Sequence, residues 1–324
     1  MIKRIFITGA SGCIGQYIAE TLIANTQHEL YLLVRNPDKL KIQLDVRPGI
    51  HVLSADLRSI DRFADILKTI DCAILTAAAW GGYQDCIDIN VTTTHQIMDL
   101  LDPQICDRVI YFSTASLLDR DNKILPEAGD LGTDYIRSKY DFIQQLPSHS
   151  LSDRTTVLFP TLVLGGDETK PLSHLTSGLP EVLNWIDWIR FFKADGSFHF
   201  IHARDIAEVV RFYVENESCQ PGHFVLGNQP YTVDRAIREI CNYLNKKVYF
   251  RISLSPWLIN FFIAAFKIKM AAWDRFCLQY RHFIYQHPVN PATFDLPSYC
   301  ETLSDVLTVS GIPPSSQNKV KRNH

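Results

Sequence analysis

The chain has 324 residues, 46% of them hydrophobic, enough to bury a large core as one big domain or two smaller ones. A formal net charge of −3 implies no general attraction to nucleic acid. The eight cysteines are scattered with no Cys-x-x-Cys pair, which speaks against a zinc site and for reduced, mostly buried thiols; no metal is expected.

A strand expected over Lys3–Thr8 runs into Gly9-Ala10-Ser11-Gly12-Cys13-Ile14-Gly15, and an amphipathic helix follows over Ile14–Asn25. A buried strand turning tightly into a helix aims backbone N–H groups and the positive helix end at one point, which suits a pyrophosphate. Gly9 permits the turn, Gly12 lets the backbone approach phosphates and Gly15 lets the helix pack closely on the sheet. Ser11, Cys13 and Ile14 join them as cofactor-binding positions. A buried thiol is the expected state of Cys13, a redox role its alternative.

Further strands are expected over Glu29–Val34, Ile50–Leu53, Cys72–Thr76, Arg108–Phe112 and Thr155–Phe159, with helices over Ile60–Leu67, Asp88–Leu101 and Asp134–Leu146. Apolar runs alternating with amphipathic helices predict an α/β, Rossmann-type doubly wound parallel sheet. It is followed by a smaller, mostly helical C-terminal substrate region. Residues 1–165 form the dinucleotide-binding domain, and 196–228 return to it through a strand at Phe224–Leu226. Residues 166–195, with a Trp-rich helix over Glu181–Phe192, and 229–312, helical from Tyr231 on, form the substrate-binding region. Residues 313–324 are a disordered basic tail. The segment Trp257–Trp273 is too short to span a membrane; covering the substrate pocket or a dimer face is its expected role, peripheral lipid contact the alternative. Met1 to Arg4 lead directly into the first strand with no signal peptide, so a cytoplasmic location is expected.

The second strand ends at Arg35, with Lys39 close behind. An acidic residue there would bind the ribose diol of NAD, whereas a guanidinium attracts a 2′-phosphate, so NADP is favoured with NAD as the alternative. Asp56 sits where a carboxylate accepts the adenine amino group, with Leu57 against the ring; capping the next helix is its alternative role. Ala77 and Ala78 let the backbone pass under the cofactor, and Trp80 reaches toward the nicotinamide end.

Tyr135-Ile136-Arg137-Ser138-Lys139 puts a phenol and an ammonium on one helix face. The lysine lowers the phenol pKa and can hold the nicotinamide ribose, which makes Tyr135 a general acid or base. A hydroxyl at the preceding strand end, Thr114 or alternatively Ser116, orients the substrate oxygen. Together these motifs resemble the short-chain dehydrogenase/reductase superfamily in its extended branch, the NAD-dependent epimerase/dehydratase family. The likeness runs from Ile2 to about Asn228, through the glycine loop, Asp56-Leu57, Thr76 to Ala79, Asn90-Val91, Phe112 to Ala115, Tyr135 to Lys139, Phe159 to Gly165 and Phe200 to Ala207. Val34 to Pro37 is similar to the NADP-binding turn of dihydroflavonol reductases.

The resemblance implies that Thr114, Tyr135 and Lys139 are catalytic, that Pro160 meets the cofactor, and that a homodimer forms through Asp88–Leu101 and Asp134–Leu146. The chain departs from the family at Phe159, usually Arg, and at Thr161 to Leu164, apolar where nucleotide-sugar epimerases often carry Asn for the diphosphate. His199, His202 and Asp205 are expected to be structural. The expected function is an oxidoreductase passing a hydride between NADP(H) and a carbonyl or secondary alcohol of a small, fairly apolar substrate. Alternatives are a nucleotide-sugar epimerase or dehydratase with tightly bound NAD, and a non-catalytic cofactor sensor.

Overall fold

A computed structural model describes residues 1–255, 257 and 269–314. The expected tail therefore lies almost wholly outside the described residues, as does most of Trp257–Trp273.

Strands β1 (Arg4–Thr8), β2 (Glu29–Val34), β3 (Ile50–Ser54), β4 (Cys72–Leu75), β5 (Arg108–Phe112) and β6 (Thr155–Pro160) pair in parallel. Ile5, Phe6 and Ile7 are all fully buried, so successive side chains on both faces of β1 are covered, as a parallel sheet with helices on either side demands. On one face α1 (Cys13–Asn25) packs Ile18 and Leu22 into a core with Ile206, Val209 and Val210. On the other, α2 (Ala64–Leu67), a long helix beginning as α3 (Tyr83–Ile87) and ending as α4 (Thr94–Leu100), α5 (Pro126–Asp130) and α6 (Asp134–Gln145) contribute Leu67, Ile97, Met98, Ala128, Phe142 and Ile143.

Residues 162–226 supply β7 (Leu162–Leu164), α7 (His174–Ile189), β8 (Phe192–Lys193), β9 (Ser197–Phe198), β10 (Phe200–His202), α8 (Ala203–Glu215) and β11 (His223–Leu226). β11 completes a seven-stranded sheet of order β3-β2-β1-β4-β5-β6-β11, and α8 carries Ile206, Val209 and Val210. The order reverses between β1 and β4, the place where open α/β sheets bind ligands.

Several expected elements differ. The helix over Ile60–Leu67 is mainly a 3-10 stretch, Leu57–Phe63, kinked at Ser59 before the single turn of α2. The helix over Asp88–Leu101 starts earlier, at Tyr83, and carries a π-helical insert over Asp88–Thr93. The Trp-rich helix starts at His174 rather than Glu181, because Ser173 caps it by accepting the Thr176 N–H at 3.1 Å; Pro180 lies inside α7 instead of opening it. The region after Tyr231 is mixed. Besides α9 (Val233–Tyr243) and helices Ala272–Tyr280 and Leu303–Val309, it contains β12 (Tyr231–Thr232), β13 (Ile252–Ser253) and β14 (His282–Phe283). These two-residue strands pair with β9 and β8 and are too short to leave a periodic signal. Among the described residues no helix is long and apolar enough to cross a membrane.

Candidate active site

A cleft of about 880 Å³ opens at the carboxyl ends of the strands and is lined by Gly9, Ser11, Gly12, Cys13, Ile14 and Gly15 at one end. Helix α1 has no side-chain cap at Gly12 and no acidic residue in its first turn. Its N-terminal N–H groups and positive end are thus left for a ligand. Gly9 adopts φ +68°, and a Cβ there would meet the Ala77 backbone nitrogen at 2.8 Å. At Gly12 a Cβ would approach only the Gly9 carbonyl, at 3.2 Å, so the space beyond it is open cleft. Gly15 differs in detail from its expected role. A Cβ there would come within 2.2 Å of the Gly9 carbonyl oxygen, so the contact it protects is with the loop's own backbone. Burial, reinforced by nearby Asp167, pushes the Cys13 thiol up to about 12, which keeps it protonated and unsuited to redox chemistry.

At the β2 end, Arg35 lines the cleft and is exposed. Sequence reasoning missed a second guanidinium nearby: Arg58 also lines the cleft but is bound to Asp85 at 2.5 Å and lies 3.6 Å from both Asp56 and Asp88. No hydrogen bond or ion pair engages the Arg35 guanidinium among the described residues. Lys39 is not brought to the cleft: its segment forms the turn Pro37–Lys39, capped by Asn36, and its carbonyl accepts from Gln16 Nε2 at 2.8 Å. Asp56 lines the cleft beside Leu57 and takes the alternative role of capping the 3-10 helix, accepting the Arg58 N–H at 2.9 Å.

Ala77, Ala78, Trp80, Thr114, Ser116, Tyr135, Lys139 and Pro160 line the other half. Thr114 lies just beyond the end of β5 and accepts the Ser116 N–H at 3.3 Å, which leaves its own O–H free to donate. Next to it, Ser113 is 4% exposed, lines the cleft and has no hydrogen-bond partner for its hydroxyl. A buried orphan of this kind suits a polar ligand. Burial pushes the Tyr135 phenol up, and it pushes the Lys139 amine down to about 7. The expected lowering of the phenol by Lys139 is therefore not seen. Lys139 instead donates to the Phe112 carbonyl at 2.8 Å and lies over the Tyr111 ring, 4.6 Å from its centroid.

Asn90, quoted above only as part of a motif, fixes the spacing of these parts. Within the π-helical insert its carboxamide accepts the Ala79 N–H at 2.8 Å and donates to the Ala79 carbonyl and the Ser138 hydroxyl, both at 2.9 Å. Trp80, the next residue, stacks on the Tyr135 ring at 4.0 Å.

The remaining candidates, His199, His202 and Asp205, make structural contacts. His199 bonds the Asn228 carbonyl at 2.7 Å and accepts the Tyr285 N–H at 3.1 Å. His202 caps α8, and Asp205 accepts the N–H groups of Tyr299 and Cys300. Arg190, Arg204 and Arg211 are engaged by Asp187, the Tyr299 ring and Glu208 with Glu215.

The model of the NAD dependent epimerase/dehydratase family matches residues 5–227. Solved structures share the fold at low identity. The Bordetella bronchiseptica enzyme WbmG in complex with NAD is 14% identical, with a TM-score of 0.66 over 97% of each chain. dTDP-glucose 4,6-dehydratase from Bacillus anthracis in complex with NAD is 11% identical, with a TM-score of 0.64 over 99% of this chain and 97% of that one. UDP-N-acetylglucosamine 4-epimerase from Methanobrevibacter ruminantium, in complex with UDP-N-acetylmuramic acid, is 15% identical, with a TM-score of 0.63 over 99% of both. No curated protein sequence matches the chain.

Proposed function

The chain belongs to the NAD dependent epimerase/dehydratase family and is an enzyme using a nicotinamide dinucleotide; from that premise we propose that it is an NADP-dependent oxidoreductase. It acts on the carbonyl or secondary alcohol of a small, fairly apolar substrate. One observation carries the substrate reading. Among the described residues, no lysine or arginine other than Lys139 lines the half of the cleft built from Trp80, Thr114, Thr161, Leu162, Val163, Leu172 and Leu175. A nucleotide-sugar diphosphate buried there would find no other cationic partner among the described residues, at a heavy desolvation cost.

The glycine loop and the α1 N-terminus would hold the pyrophosphate, Arg35 the 2′-phosphate, Asp56 and Leu57 the adenine, and Lys139 with Pro160 the nicotinamide riboside. When bound, this group supplies or accepts a hydride. Thr114 donates to the substrate oxygen and orients it. Tyr135, held neutral by burial, has the protonation state of a general acid and gives its proton to the oxygen of a carbonyl being reduced. Residues 166–195, through Leu172, His174 and Leu175, contribute the substrate wall; 229–312 complete the substrate region of the proposal. The implied homodimer is part of it, and its contact across α4 and α6 would be polar, through the exposed Asp99, Gln144 and Gln145.

The test is twofold: the nucleotide released by mild denaturation of the purified protein, identified by mass, and carbonyl-dependent oxidation of NADPH. NADP and turnover support the reading. A second reading, nucleotide-sugar epimerisation or dehydration, is favoured by the UDP-sugar and dTDP-sugar enzymes among the fold's neighbours. Tightly held NAD with no net use of NADPH would select it.

A further inference from the structure

The substrate half of the cleft is walled by large apolar side chains that the fold leaves open. Trp80 is 59% exposed, Leu162 42%, Leu172 50% and Leu175 42%, and all four line the cleft. Single exposed hydrophobics are ordinary, but several converging in one concave site mark ligand contact. Of the four, Trp80 stacks on the ring of the acid. Its indole lies 4.0 Å from the Tyr135 ring with planes 12° apart, and 4.8 Å from the His174 ring with planes 57° apart.

Gly81 and Gly82 follow Trp80, and a Cβ on Gly81 would meet nothing within 4 Å. The indole contacts both rings and keeps over half its surface free beside the phenol. A substrate that presents its carbonyl oxygen to the Tyr135 hydroxyl carries its nearest substituent along this indole.

We propose that Trp80 is a specificity-determining residue that selects substrates bearing a planar aromatic ring directly on the reacting carbon. The inference rests on the oxidoreductase reading above. A planar ring can lie offset or edge-on against the indole, the geometries aromatic pairs prefer, whereas a puckered saturated ring of equal size cannot lie flush. Leu162, Leu172 and Leu175 accept either ring, so discrimination falls to Trp80.

The test compares NADPH-dependent reduction of acetophenone and of cyclohexyl methyl ketone by the wild-type protein, Trp80→Ala and Trp80→Phe. The quantity read is the ratio of kcat/KM for the aromatic ketone to that for the saturated one. Comparing this ratio between variants cancels the intrinsic reactivity of each carbonyl and any general disturbance of Tyr135. The ratio falls about 3- to 10-fold in Trp80→Ala, the range set by aromatic-pair energies, and is largely kept in Trp80→Phe. Should Trp80→Ala not fold, Trp80→Leu serves for the same comparison. Turnover of both ketones with an unchanged ratio overturns the inference and leaves the oxidoreductase reading standing. Turnover of neither ketone by the wild-type protein, with NADPH or NADH, overturns that reading and the inference with it.

Discussion

The carboxamide of Asn90 donates to the hydroxyl of Ser138 at 2.9 Å, inside the buried core and across 48 residues of sequence. This bond ties the segment that follows β4, held by the same side chain through Ala79, to the helix that carries Tyr135 and Lys139. Replacing Asn90 with Ala leaves the half-buried Ala79 amide and carbonyl without that partner, at about 0.5–1.5 kcal/mol per lost bond. The variant should melt several degrees lower. Its kcat should fall roughly 10- to 100-fold with little change in KM, since loosened alignment rather than lost binding is the defect. Thermal unfolding and steady-state kinetics check both halves.

Arg35 should decide the cofactor. Its guanidinium is exposed in the cleft, whereas Arg58 is tied to carboxylates. Arg35→Ser should weaken NADP binding about tenfold or more, the worth of one or two charge-assisted hydrogen bonds, and leave NAD binding within about twofold. Calorimetric titration with each nucleotide separates the cases. An equal loss for both would mean that Arg35 acts on the shape of the turn.

Gly15→Ala should damage the loop more than Gly12→Ala. A Cβ at Gly15 meets rigid backbone at 2.2 Å, but at Gly12 it meets one carbonyl at 3.2 Å. The Gly15 variant should lose about 3 kcal/mol of stability, the upper end for overpacking, and its nucleotide binding with it. The Gly12 variant should stay folded and lose binding alone. Denaturant melts with and without nucleotide distinguish them.

Stability should fall as the pH drops from 6.5 toward 4. Burial lowers the pKa of His28, His95, His199, His202 and His223, that of His202 to about 4. In this window the unfolded chain takes up protons that the folded chain refuses, so acid favours unfolding. Burial raises Asp205 to about 6 and also raises Asp141; both work in the opposite direction just above their ordinary values, but they are two groups against five. A melting temperature at pH 5 equal to or above that at pH 7 would contradict this account.

Much of the site was legible in the chain because it depends on local geometry. The glycine loop, the Tyr135–Lys139 spacing and the strand end at Thr114 are short-range patterns, and each lines the same cleft. What escaped depends on contacts distant in sequence. Trp80 on Tyr135 and Asn90 on Ser138 join residues 55 and 48 positions apart, from the numbering of each pair, so no periodicity announces them. The raised phenol of Tyr135 escaped for a related reason: spacing reports that Lys139 is near, not that burial and the Phe112 carbonyl absorb its influence. The start of α7 was misplaced because Pro180 is a strong local stop, and only the Ser173 cap overrides it.

The central claim is that Tyr135 delivers the proton in a hydride-transfer reaction. Its most direct measurement is carbonyl-dependent NADPH oxidation by Tyr135→Phe beside NADPH affinity by titration. The account predicts that kcat falls about 10²- to 10⁴-fold, the range for positioned acid–base catalysis, while affinity holds within about twofold. Turnover undiminished in that variant would contradict it.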